Sequence, residues 1–128
     1  MKHATFATAL NCMDGRAQRP VIDWVTRTFG VDHVDMITEP GIVRMVAAPL
    51  PDTVEHLLQK VRISRDAHGS RLLVIVAHHD CAGNPVDEET QKKQLVEAGH
   101  HLKDHFPDMT VRALWLDDAF VAHEIELD

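Results

Sequence analysis

Six consecutive apolar residues, Leu72-Leu73-Val74-Ile75-Val76-Ala77, leave no polar side chain to turn toward water on either face. A strand with one wet face alternates apolar and polar residues. An unbroken run between turns is the pattern of a strand covered on both sides, as in a parallel sheet. Gly69-Ser70 precede the run, and the polar stretch His78-His79-Asp80-Cys81-Ala82-Gly83-Asn84-Pro85 succeeds it. The run is also far short of the roughly 20 apolar residues that cross a membrane. A chain containing this strand must therefore supply other strands beside it and helices for both of its faces.

The rest of the sequence supplies them. Residues 5–10 are small and apolar and end at the polar turn Asn11-Cys12-Met13-Asp14-Gly15, which predicts a first strand, β1, with Cys12 at its C-terminal end. Pro20 suits a first helical turn, Val21, Trp24, Val25 and Thr28 come after it at helical spacing, and Gly30 stops the helix. Val34, Met36 and Thr38 alternate with polar residues as a second strand, β2 (residues 34–38), before the turn Glu39-Pro40-Gly41. After the break at Pro49 and Pro51, Asp52 or Thr53 is placed to cap a helix, with Glu55 completing a capping box and Val54, Leu57, Leu58 and Val61 as its apolar stripe. The run at 72–77 is then β3. Residues 87–106 read as a helix with Leu95, Ala98, Leu102 and Phe106 on one side, and residues 110–116 as β4. Val121, His123, Ile125 and Leu127 alternate with polar neighbours and suit a short C-terminal edge strand. The order β-α-β-α-β-α-β demands right-handed crossovers. The expected fold is α/β, a mostly parallel sheet of about four strands with helices on both faces.

At 128 residues, with 45% apolar and 26% charged side chains, the chain is expected to form a single domain spanning 1–128 without needing disulfides. No N-terminal stretch combines a basic start, an apolar segment and a small-residue cleavage site, and the residues after Lys2 alternate as in a strand, so the expected compartment is the cytoplasm. A formal charge of −7, with Lys and Arg scattered, argues against nucleic acid as a partner. Ten histidines and two cysteines are the unusual feature. The cysteines are too far apart for a Cys-x-x-Cys redox motif, leaving buried apolar residues, a distant redox pair or metal ligands as readings.

Their positions favour the third. Both lie just past the C-terminal ends of strands, where open α/β sheets bind ligands. If β1 and β3 are neighbours, Cys12 converges with His78 and Cys81, and two thiolates with one imidazole suit Zn2+. Three protein ligands leave a fourth position open, as in catalytic rather than structural zinc sites. Asp14 lies two residues beyond one ligand and Arg16 two further, so the carboxylate can orient a zinc-bound hydroxide while the guanidinium clamps it. Asp14 can equally cap the helix that starts near Ala17, and Arg16 can be a surface ion-pair residue. His100, His101 and His105 share a helix with acidic neighbours and read as a solvated face, and Asp117-Asp118 reads as a turn. No histidine is assigned as a proton shuttle; His79 lies beside the ligand His78, while His3, His33 and His123 have no assigned place.

Cys12-Met13-Asp14-Gly15-Arg16 and His78-His79-Asp80-Cys81 resemble the two signature motifs of the β-class carbonic anhydrases, Cys-x-Asp-x-Arg and His-x-x-Cys, and the resemblance runs over nearly the whole chain. It implies a core sheet of order 2-1-3-4, zinc on Cys12, His78 and Cys81, Asp14 and Arg16 as the catalytic pair with Asp14 either coordinating zinc or swinging to Arg16, and reversible hydration of CO2 to bicarbonate. It also implies a homodimer or higher homo-oligomer. The sequence departs from the family pattern in three places. Ala82 comes directly after the second cysteine where the family has Gly, Ala77 stands where Gly precedes the histidine, and Thr38-Glu39-Pro40-Gly41-Ile42 replaces a pocket-shaping Arg-Asn-Ala-Gly-Asn. Two other readings keep the fold and the metal: a hydrolase of carbonyl sulfide or carbon disulfide, and a zinc-holding protein without turnover. A thiol-redox protein without metal is a further rival.

Overall fold

In the computed structural model, which describes residues 3–128, the apolar run becomes the strand β3 (Leu72–His78), and every residue of it is buried. The expectation attached to Lys2 lies outside the described residues. The remaining elements are β1 (Phe6–Asn11), a 3-10 turn (Gly15–Ala17), α1 (Gln18–Phe29), β2 (His33–Thr38), α2 (Ile42–Ala47), α3 (Pro51–His68), α4 (Glu88–His105), β4 (Thr110–Leu116) and β5 (Ala122–Ile125). The strands form one sheet in the order β2-β1-β3-β4-β5. Four of them run parallel, and β5 pairs antiparallel with β4 as the expected edge strand.

The alternation of β3 explains why both faces need cover. Leu72, Val74 and Val76 join Val21 and Val25 of α1, together with Ala7, Ala9, Leu114 and Leu116. Leu73, Ile75 and Ala77 face the other way, against Leu57, Leu58 and Val61 of α3 and Leu95, Ala98 and Leu102 of α4. Each of the valine, leucine and isoleucine side chains among them contributes roughly 1.5–3 kcal/mol when taken out of water. One helix covers the first face and three cover the second, as right-handed crossovers dictate when the chain steps from β1 outward to β2 and then back past β1 to β3. The direction of winding reverses between β1 and β3. At that switch point the helices after the two strands leave for opposite faces and a crevice opens beyond the strand ends.

Three local expectations are corrected. Helix α2 has no counterpart among the expected elements: Ile42, Val43, Val46 and Ala47 are buried, but six residues are too few to display a helical period. Helix α3 starts at Pro51 with Leu50 as N-cap and no capping side chain, so neither Asp52 nor Thr53 caps it. Proline preset for the first helical position fixes the start, and Asp52 falls in the first turn, where its charge suits the helix dipole. His101 is half-buried, its Nδ1 2.8 Å from the Val46 carbonyl at the end of α2, whereas His100 and His105 are exposed as expected. No helix among the described residues is long and apolar enough to cross a membrane.

Candidate metal centre

The register of β1 on β3, with Leu10 opposite Ile75, brings the ends of the two strands side by side. Asn11, the last and fully buried residue of β1, fixes the turn beyond the strand. Its Nδ2 donates to the Ala17 carbonyl at 3.0 Å and its Oδ1 accepts from the Cys12 amide at 2.9 Å. Gln18 Nε2 donates to the carbonyls of Cys12 and Asp14, both at 2.8 Å. Cys12 is thus held between two side-chain amides, which fix the backbone from which its thiol projects.

The second loop is held from farther away. Gln91 of α4, itself buried, donates from Nε2 to the His78 carbonyl at 3.0 Å, and the His79 amide donates to the Leu116 carbonyl at 2.9 Å. Gly83 meets the Pro40-Gly41 turn backbone to backbone. A Cβ on Gly41 would lie 2.6 Å from the Gly83 carbonyl group, and one on Gly83 would lie 2.6 Å from the Pro40 carbonyl carbon. Gly41 also sits at φ +61°, a conformation open to glycine and costly to side chains. The stretch 38–42 that departs from the family pattern is therefore the segment on which the second loop rests. The glycine needed for close approach is Gly83, one place later than the family pattern has it.

These supports bring the three candidate ligands together. The thiols of Cys12 and Cys81 and the imidazole of His78 are all buried, with ligand atoms within 4.8 Å of one another. The sulfurs are 3.9 Å apart, far beyond a disulfide bond of about 2.05 Å. Two thiolates at about 2.3 Å from one tetrahedral ion stand about 3.8 Å apart, so the spacing fits a shared zinc. His78 Nδ1 lies 2.7 Å from the His79 carbonyl, which makes Nδ1 the protonated nitrogen and leaves a lone pair on Nε2. That Nε2 is buried with no hydrogen-bond partner among the described residues. A buried imidazole nitrogen left unpaired is costly, and a metal ion is a partner that would satisfy it. Burial, and then the neighbouring Cys12, push the Cys81 thiol above its ordinary value, an opposition that a bound cation would reverse.

Asp14 is outside this set and pairs with Arg16 instead. Arg16 Nε donates to Asp14 Oδ1 at 3.1 Å and Nη2 to Oδ2 at 2.7 Å, a two-pronged contact. The same Oδ1 accepts the Arg16 backbone amide at 2.9 Å, so Asp14 also caps the 3-10 turn. Capping and pairing coexist. The hydrogen bonds from Arg16 hold the Asp14 carboxyl down to about 2, and Asp14 in turn raises Arg16. Arg16 reaches further, to the Asp80 carbonyl at 3.2 Å and the Asp80 carboxylate at 3.4 Å, tying the two loops together. The Phe120 ring lies 4.7 Å from the Arg16 guanidinium and 5.7 Å from the His78 ring.

The structure brings together the three residues expected as metal ligands and pairs Asp14 with Arg16, while Asn11, Gln18, Gln91, Gly41 and Phe120 had no place in the sequence reading of the site. Only Asn11, an amide at a strand end beside a cysteine, carried a readable signal. His79 is exposed beside its ligand neighbour, whereas His33 opens β2 at the far end of the sheet and His123 Nε2 lies 2.7 Å from Asp117. A cavity of about 560 Å3 opens beside the site, lined by His79, Asp80, Cys81, Gln91 and Trp115, and one of about 610 Å3 lies between α4 and β5, lined by Lys103, Phe106, Ile125 and their neighbours.

Comparisons with known proteins bear on the family and the fold. A family model described as "Putative carbonic anhydrase" matches residues 2–126. Among solved structures, the chain is similar to a carbonic anhydrase from Glaciozyma antarctica, at 16% identity and a TM-score of 0.59, over 93% of this chain and 81% of that one. It is equally similar in fold to one of two tetrameric beta-carbonic anhydrases from the filamentous ascomycete Sordaria macrospora, at 11% identity and a TM-score of 0.59, over 96% and 82% of the two chains. At such identities the likeness establishes the fold. No curated protein matches the chain in sequence.

Proposed function

The chain belongs to the carbonic anhydrase family whose model it matches over nearly its whole length, and on that footing we propose that it is a zinc lyase interconverting carbon dioxide and bicarbonate. Cys12, His78 and Cys81 would hold the ion. The observation that carries the reading is the unpaired, buried Nε2 of His78 beside two thiols, a donor set that matches zinc in chemistry and in spacing. When bound, zinc supplies Lewis acidity strong enough to bring the deprotonation of a coordinated water near neutral pH.

The chain's own residues define the rest of the work. Three ligands, with Asp14 engaged by Arg16, leave one coordination position for water and substrate. The Asp14 carboxylate, kept ionised by the guanidinium, is a pure hydrogen-bond acceptor and so can select the orientation of a hydroxyl-bearing reactant. Arg16 restrains that carboxylate at one place rather than touching the substrate itself. A linear, uncharged triatomic substrate asks for little binding area, in keeping with an enclosed ligand set of this size.

We take residues 1–128 as one zinc-binding domain acting in the cytoplasm on small molecules rather than nucleic acid, and as a homo-oligomer, a state supported by the tetramers named among its structural relatives. The test is stopped-flow CO2 hydration with a pH indicator on protein of measured zinc content. The expected result is zinc-dependent hydration, with Asp14→Ala retaining zinc and losing about 100-fold or more in kcat. Full zinc with no hydration of CO2 would contradict the reading, and turnover of carbonyl sulfide or carbon disulfide instead would reassign the substrate.

A further inference from the structure

The turn between β4 and β5 sets Phe120 at φ +58°, where a bulky side chain is normally excluded by its own Cβ. Strain of this kind persists where the surroundings over-determine it. Here they do. Asp117 Oδ1 accepts the amides of Ala119 at 2.9 Å and Val121 at 3.0 Å, and Oδ2 lies 2.7 Å from His123 Nε2. The backbone closes the turn from Phe120 N to Asp117 O at 2.9 Å and from Asp117 N to Val121 O at 3.1 Å. The turn delivers one aromatic ring onto the guanidinium that grips Asp14.

Arg16 needs such a restraint. Its side chain is half exposed, and a long surface side chain loses considerable rotamer freedom in holding one geometry. Asp14 and Asp80 engage its nitrogens, and the Phe120 ring packs on the guanidinium. With the Arg16 side chain displaced, Asp14 keeps the Arg16 backbone amide on Oδ1, and its other oxygen, two residues from Cys12, is open to act as a zinc ligand. We infer that Phe120 is a positioning residue, its ring face confining the Arg16 guanidinium so that Asp14 stays off the thiol–imidazole set. This rests on the reading that Cys12, His78 and Cys81 hold a divalent cation. Phe120 also packs against the α1-face core, and a merely space-filling role would be served by any apolar side chain of similar size.

Three variants separate the two roles. Phe120→Leu keeps apolar bulk without the π face, Phe120→Trp keeps the face, and Phe120→Gly relieves the backbone strain while removing the ring. The readout is hydrogen exchange at Arg16 Nε, monitored by NMR in protein with and without zinc. Exchange should be roughly five- to tenfold faster in the leucine and glycine variants and within about twofold of the parent in the tryptophan variant, as the loss or retention of a cation–π contact requires. In cobalt-substituted protein, the visible absorption bands should shift in the leucine and glycine variants as a carboxylate joins the metal, and should not shift in the tryptophan variant. Unchanged Arg16 exchange in both the leucine and glycine variants overturns the inference, as does a tryptophan variant that behaves like leucine. Because exchange is read without metal as well, a chain that binds no zinc sinks the metal reading alone.

Discussion

The two loops that carry the candidate ligands are built in opposite ways. The loop after β1 is tied by its own sequence: Asn11, Asp14 and Gln18 make hydrogen bonds that span no more than six residues. The loop after β3 is tied by distant segments: Gly41 beneath it, Gln91 from α4, Leu116 from β4 and Arg16 from the other loop. The first can form as soon as its strand and helix do. The second waits for the fold, so its candidate ligands are placed by tertiary structure rather than by local preference.

Substitutions at the base of each loop should expose the difference. The largest effect is expected from Gly41→Ala, which places a Cβ against the Gly83 carbonyl group and forces a side chain into φ +61°. The combined clash and strain should cost roughly 2–5 kcal/mol in denaturant unfolding. Hydrogen exchange should rise in both α2 and residues 78–85, two regions that are far apart in sequence. Exchange confined to residues 38–47 would show that the second loop does not rest on this turn.

Asn11→Ala should cost about 2 kcal/mol, chiefly through the buried Cys12 amide left unpaired. Its disturbance should stay between Cys12 and the first turn of α1. Spread into residues 78–85 would break the contrast between the loops.

The readable part of this molecule obeys the same division. Strand β3 announced itself because six apolar residues can be satisfied only between two layers, and the convergence of Cys12, His78 and Cys81 was legible because each stands within a few residues of a strand end. The Asp14–Arg16 pair was legible for the same reason, being separated by one residue. The supports of the second loop were not. Gly41 looks like an ordinary turn glycine until Gly83 is packed against it, and α2 is too short to show a period. Gln91 is one amide among the polar residues of α4, with nothing local to mark that it faces inward. At Pro51, two start signals competed, and the proline overrode the polar residues after it. Phe120 reaches the site only because β5 folds back on β4.

The smallest effect belongs to the turn that carries Phe120, a third element whose anchor titrates. The hydrogen bond from His123, with those from the Val121 and Ala119 amides, holds the Asp117 carboxyl below its ordinary value. A lowered carboxyl pKa stabilises the fold above the ordinary carboxylate range, near 4, and loses that contribution as pH falls through the lower folded value. The protection factors of the amides at residues 119–121, with the intrinsic pH dependence of exchange divided out, should therefore fall below about pH 4 in the parent protein. In Asp117→Asn they should show little of that pH dependence. Equal pH dependence in the two proteins would remove Asp117 as the latch.

Three side chains, offering two sulfurs and one imidazole nitrogen to one ion, are the premise on which the proposed chemistry depends. X-ray absorption at the zinc edge of the purified protein reads that directly. The expected spectrum has two sulfur neighbours at about 2.3 Å and nitrogen or oxygen neighbours at about 2.0 Å, with one sulfur lost in Cys81→Ser. A coordination sphere made only of nitrogen and oxygen, or one that keeps both sulfurs in Cys81→Ser, would contradict it.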